Sequence, residues 1–118
     1  MDTFSEKLKS EMNEFAHGVY AVTKKFPKEE IYGITSQIRR ASLSVVLNYV
    51  EGFARKRSTV KKNFWEISYG SLKESEYLLE FVFAEKLIDE SEYKKYSDLA
   101  NEIGAMLWKS IDSIKLPD

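Results

Sequence analysis

The chain has no cysteine, only two prolines and five glycines, and a single histidine among 118 residues. Without cysteine there is no disulfide framework, no thiolate zinc site and no thiol nucleophile. So little proline and glycine excludes a loop-rich β-sandwich. No apolar run approaches the roughly 18–20 residues of a membrane span. Residues Met1–Glu6 lack a basic stretch leading into an apolar one, so no signal peptide is expected and a cytoplasmic location is. Nor is there an excess of either charge. Eighteen basic residues face nineteen acidic ones, which excludes a globally basic nucleic-acid binder but leaves room for a local basic patch. What is present is 43% hydrophobic and 14% aromatic residues, enough for the core of one domain over residues 1–118 and too much for a disordered tail.

The apolar residues recur at helical spacing. Phe4, Leu8, Met12, Phe15, Val19, Val22 and Phe26 step by three and four, which predicts a helix over about 2–25. Lys25-Phe26-Pro27 ends it, because the residue before a proline disfavours the α region. A second helix is predicted over about 28–57, with Pro27 at its first turn and Glu29 and Glu30 at its positive end. Its stripe is Ile31, Ile34, Ile38, Ala41, Val45, Asn48 and Gly52, and Leu43, Val46 or Leu47, Val50 and Phe53 make it apolar on more than one face. Ser58-Thr59 is the break before a third helix over about 59–87, carrying Phe64, Ile67, Leu72, Leu78 and Val82. Asp89 with Glu92 forms an acidic capping box for a fourth helix over about 90–115, ended by Pro117. Nothing alternates like a strand. Four helices with short connections predict an all-α, antiparallel up-down-up-down four-helix bundle.

Pairing the second and third helices across a turn near 58 places residues whose numbers sum to about 116 at one level. Asn48 then meets Ser68, Val45 meets Ser71, and Gly52 meets Phe64. The small residues there, Gly52 and Ser71 among them, permit close approach. Asn48 reads as a register-setting buried amide bonded to the third helix. The third helix carries more apolar circumference than one bundle hides, so Trp65, Tyr69, Phe81 and Phe83 are expected at an interface of a homo-oligomer.

Catalytic patterns are missing. Glu14-x-x-His17 matches one element of a di-iron bundle, but such a site needs two of them and two further glutamates. No nucleophile elbow and no glycine-rich phosphate loop occurs. The expectation is a protein that is not an enzyme, with no metal and no cofactor. The charge map is more informative. Residues 39–62 hold seven bases against Glu51 alone, a net of +6, and the rest of the chain is −7. Arg55, Lys56, Arg57, Lys61 and Lys62 gather at one turn, a composition suited to phosphate backbones of RNA or DNA. The competing use is pairing with the acids of residues 73–118, six bases against eleven acids, on another subunit. A partner protein docked on an oligomer is the alternative function.

The run from Phe26-Pro27-Lys28-Glu29-Glu30 through Tyr32–Ala41, Ser44, Asn48 and Glu51-Gly52-Phe53-Ala54-Arg55 resembles the "four helix bundle protein" family. Its members are encoded in intervening sequences of bacterial 23S rRNA genes. Gly70–Glu76 resembles the third helix of that family. The resemblance implies a left-handed bundle and a ring-shaped homopentamer. It also implies kinship with the accessory variability determinant proteins of diversity-generating retroelements, pentamers whose basic surface binds nucleic acid. It delivers no activity. Val46-Leu47 stands where relatives often carry Ile-Pro, which removes the ring that would kink the second helix. Lys61-Lys62-Asn63 makes this pole more basic than usual.

Overall fold

The computed structural model describes residues 1–117, and Asp118, one of the acids counted above, lies outside them. Four helices follow one another: α1 (Thr3–Thr23), α2 (Ile34–Phe53), α3 (Ser58–Ala84) and α4 (Glu90–Asp112). Among the described residues there is no strand. Each helix packs on its two neighbours, α1 on α2 and α4, α3 on α2 and α4, and the α2–α3 seam is the most extensive. The core is built from Leu8, Met12, Phe15 and Val19 of α1 against Ile38, Val45 and Tyr49 of α2. Leu72, Leu79 and Val82 of α3 and Ile103 and Leu107 of α4 close it. These are the three-and-four stripes of the sequence.

The helix ends follow local chemistry. Asp2 caps α1 by accepting from the Ser5 amide at 2.7 Å, and that bond lowers its pKa. Asp89 and Glu92 form a complete capping box on α4. α3 ends with Lys86 at φ 61°. The Leu87 amide reaches back to the Val82 carbonyl and the Lys86 amide to that of Phe83, a Schellman closure with lysine where glycine is usual.

The second helix departs from its predicted bounds at both ends. Residues Lys28–Glu30 make a single 3-10 turn after Pro27, and the chain turns again through 31–33 before α2 starts at Ile34. Gly33 stands before it at φ −109°, ψ −114°, outside helical backbone, so the apolar spacing of Ile31 does not continue into α2. Ile31 is half exposed instead. At the other end α2 stops at Phe53 with Ala54 as its cap. Arg55, Lys56 and Arg57 therefore lie beyond the end of α2, in the connection that leads into α3. From Ile34 to Phe53 the helix is continuous through Val46-Leu47.

The α2–α3 register is set by three hydrogen bonds. Ser68 donates to the Val45 carbonyl at 2.6 Å, the Trp65 indole donates to the Tyr49 carbonyl at 3.0 Å, and the Ser44 and Ser71 hydroxyls meet at 2.9 Å. Paired numbers sum to about 114, one residue off the expected level, because the connection sits earlier in the chain than Ser58.

Candidate nucleic-acid interface

The antiparallel order puts the α2–α3 connection, the start of α1 and the end of α4 at one end of a molecule about 50 Å long. Arg55 pairs with Glu51 one turn back and lies 5.0 Å from the Phe64 ring centre. Lys56 and Arg57 are exposed in the connection. Lys61 lies over Phe53 at 5.6 Å and over Trp65 at 5.7 Å. Lys62 sits on the α4 side, in a groove it shares with Glu66 and Asp112. Among the described residues, Arg55 alone of the five makes an ion pair. These five are neighbours along the chain and lie at the same end of the molecule. Lys109, distant in sequence, is brought to that end by the last turn of α4. The up-down topology was the signal that could have found it.

Local electrostatics reinforce the cluster. Arg57 is the N-cap residue of α3, offers no side-chain acceptor, and the first turn carries no acid. The amides of that turn and the positive end of the helix dipole therefore add to the field of the five bases rather than being neutralised by the chain itself.

The residues expected at close packing and interfaces divide. Gly52 faces α3: a Cβ there would meet the Trp65 ring at 2.5 Å and the Lys61 carbonyl at 3.1 Å. Its neighbour is Trp65, not Phe64. Asn48 is half-buried and donates to the Ser44 carbonyl at 2.9 Å and hydroxyl at 2.8 Å. It reaches Ser71 only through Ser44, so its bonds are made on its own helix. Trp65 is 7% exposed and stacks on Tyr49 at 5.2 Å; it is a core residue and not an exposed interface one, since its N–H finds a backbone acceptor inside the seam. Phe83 is half-buried and stacks on Tyr93 at 4.5 Å. Tyr69 is half-buried against the exposed Trp108. Of the four, Phe81 alone stands out, 43% exposed. The apolar surplus lies instead on the outer faces of α2 and α3, where Leu43, Leu47, Val50, Ile67, Tyr77 and Phe81 are exposed.

His17 is exposed, in a shallow groove with Tyr20, Lys24 and Leu43. Among the described residues no three acidic or histidine side chains converge as a metal cluster, and no helix is long and apolar enough to cross a membrane.

Comparison with known proteins adds family and fold. The family model described as "23S rRNA-intervening sequence protein" matches residues 6–109. A solved structure from Bacteroides thetaiotaomicron, a protein of unknown function from the S23 ribosomal protein family, superposes with a TM-score of 0.87. The alignment covers 94% of this chain and 100% of that one at 22% identity, a likeness of fold. No curated protein matches the chain.

Proposed function

Because the chain belongs to the 23S rRNA-intervening sequence protein family, a membership that names no activity, we propose a non-enzymatic role: association with nucleic acid through the basic pole. The observation that carries it is the uncapped start of α3 surrounded by Arg55, Lys56, Arg57, Lys61 and Lys62, with Glu51 the only acid paired to any of them among the described residues. One copy presents few charges. The exposed apolar faces of α2 and α3 support self-association, and the family likeness suggests five copies in a ring, which would repeat the pole five times. Kinship with accessory variability determinant proteins belongs to the same reading. Long flexible bases at a turn reach phosphates more readily than base edges, so binding is sequence-tolerant.

The same exposed residues, Leu47, Ile67, Tyr77 and Phe81, favour the second reading, in which the oligomer docks a partner protein. Fluorescence anisotropy with single-stranded RNA and duplex DNA separates the two. The proposal expects binding at low salt, with log affinity falling by about 0.7–0.9 per phosphate neutralised for each tenfold in salt. Changing Arg55, Arg57, Lys61 and Lys62 together to Glu abolishes it. If the wild type binds neither ligand at low salt, or the quadruple variant binds as well, the partner-docking reading takes its place.

A further inference from the structure

Beside the basic pole, the four helix ends leave a pocket of about 520 Å³. It is walled by Phe4 and Ser5 of α1, Phe53 of α2, Lys61 and Trp65 of α3, and Lys109, Ser110 and Ser113 at the end of α4. Its volume lies within the roughly 300–1,000 Å³ typical of small-ligand sites.

Three features of the walls bear on what it holds. The first is aromatic. Half-buried Phe53 and buried Trp65 lie 6.0 Å apart, are both backed by Tyr49 at 5.8 Å and 5.2 Å, and carry the Lys61 ammonium over their rings. Phe4, at the rim, is 41% exposed and unexplained by core packing. The second is charge: Lys61 and Lys109 both line it, and Asp2, the one acid among the described lining residues, is engaged in capping α1. The third is hydrogen bonding. Ser110 and Ser113 donate to the Met106 and Ser110 carbonyls, at 3.0 and 2.8 Å, which leaves their oxygens as acceptors.

An exposed phenyl ring at Phe4, two lining lysines and serine oxygens free to accept suit a flat heterocycle carrying a phosphate. We propose that this pocket receives one unstacked base of a single nucleic-acid strand whose phosphates lie on Lys61, Lys109 and the neighbouring pole. A duplex keeps its bases stacked and cannot offer one, whereas stacking on aromatic side chains adds affinity for a single strand. The inference rests on the proposed function for the phosphate contacts, but the pocket can be tested without them.

Two measurements do this. In a Trp108→Phe protein, Trp65 is the remaining tryptophan. Adenosine and cytidine 5′-monophosphates should quench its emission, and inorganic phosphate should not. In anisotropy, a short single strand should bind about tenfold more tightly than a duplex of equal length. Phe4→Ala should remove that preference and leave duplex binding unchanged, Phe4→Tyr should restore it, and a strand with abasic sites should bind like the duplex. Phe4 is a rim residue, so circular dichroism should show both variants folded. Absence of quenching by either monophosphate, or a Phe4→Ala protein that keeps the full preference, overturns the base pocket while leaving the basic pole standing if the quadruple variant still loses duplex. Quenching by monophosphates with no binding of any strand overturns the proposed function and keeps the pocket as a nucleotide site.

Discussion

Gly52 and Gly70 lie on facing helices and should respond to the same change in opposite directions. A methyl group at Gly52 runs into the Trp65 ring and the Lys61 carbonyl, whereas at Gly70 it meets nothing within 4 Å. Gly52→Ala should cost about 1–3 kcal/mol from overpacking at a seam whose indole is tied down. Gly70→Ala should add roughly 0.5–1 kcal/mol by restoring helix propensity. Urea midpoints of the two variants check both signs. Glu11 is the other informative residue. It is nine-tenths buried on α1, both carboxylate oxygens lack a hydrogen-bond partner among the described residues, and the Lys7 ammonium stands 3.9 Å away. Burial first, and the facing Glu102 second, raise its pKa above the ordinary 4.5. Between those two values the folded chain holds a proton that the unfolded chain has released, so this contribution to stability is lost as pH rises through the raised value. Glu11→Gln should stabilise the protein near pH 8 and flatten the stability difference between about pH 4 and about pH 8. Denaturant melts at both pH values test it, and an unchanged difference would refute the assignment.

At the scale of elements, α3 and α4 begin in opposite ways. α4 has its capping box and acids in the first turn, while α3 begins on Arg57 with no side-chain cap and no acid. A helix start left unfavourable by its own sequence is a place where stability and binding compete. Arg57→Asp should gain about 1 kcal/mol in stability by supplying a cap acceptor and a favourable dipole charge. The same change should weaken binding of RNA and duplex DNA. Thermal melts and anisotropy on one preparation read both effects. A stabilised variant with unchanged affinity would remove Arg57 from the interface. Helix existence was legible from spacing alone, since three-and-four steps require no tertiary information. The bounds of α2 were not, because the turn at 28–33 and the stop at Phe53 depend on backbone conformations that apolar spacing does not report.

At the scale of the whole molecule, the exposed faces of α2 and α3 set the expectation of assembly. Sedimentation at tens of micromolar should give a species well above the 13.7 kDa of one chain. Phe81→Glu should weaken that assembly without unfolding the monomer, because Phe81 projects outward. Phe83→Glu should instead lower stability by roughly 1–3 kcal/mol, because half-buried Phe83 stacks on Tyr93 of α4 against the edge of the core. If Phe81→Glu leaves the sedimentation coefficient unchanged, the interface lies elsewhere. The basic pole was visible in the sequence because its five bases are neighbours along the chain. The bundle-end pocket was not, because Phe4, Phe53, Trp65 and Lys109 come from four different helices. Composition, helical periodicity and the clustering of bases are local or additive properties, so the sequence by itself determined an all-α chain of four helices with a positive turn. Which aromatic turns inward, which carboxylate is stranded at a seam and which four helix ends share a pocket depend on the register of facing helices. That register is decided by side chains meeting across the bundle, such as Ser68 on the Val45 carbonyl and Trp65 over Gly52, and only the tertiary structure contains those meetings.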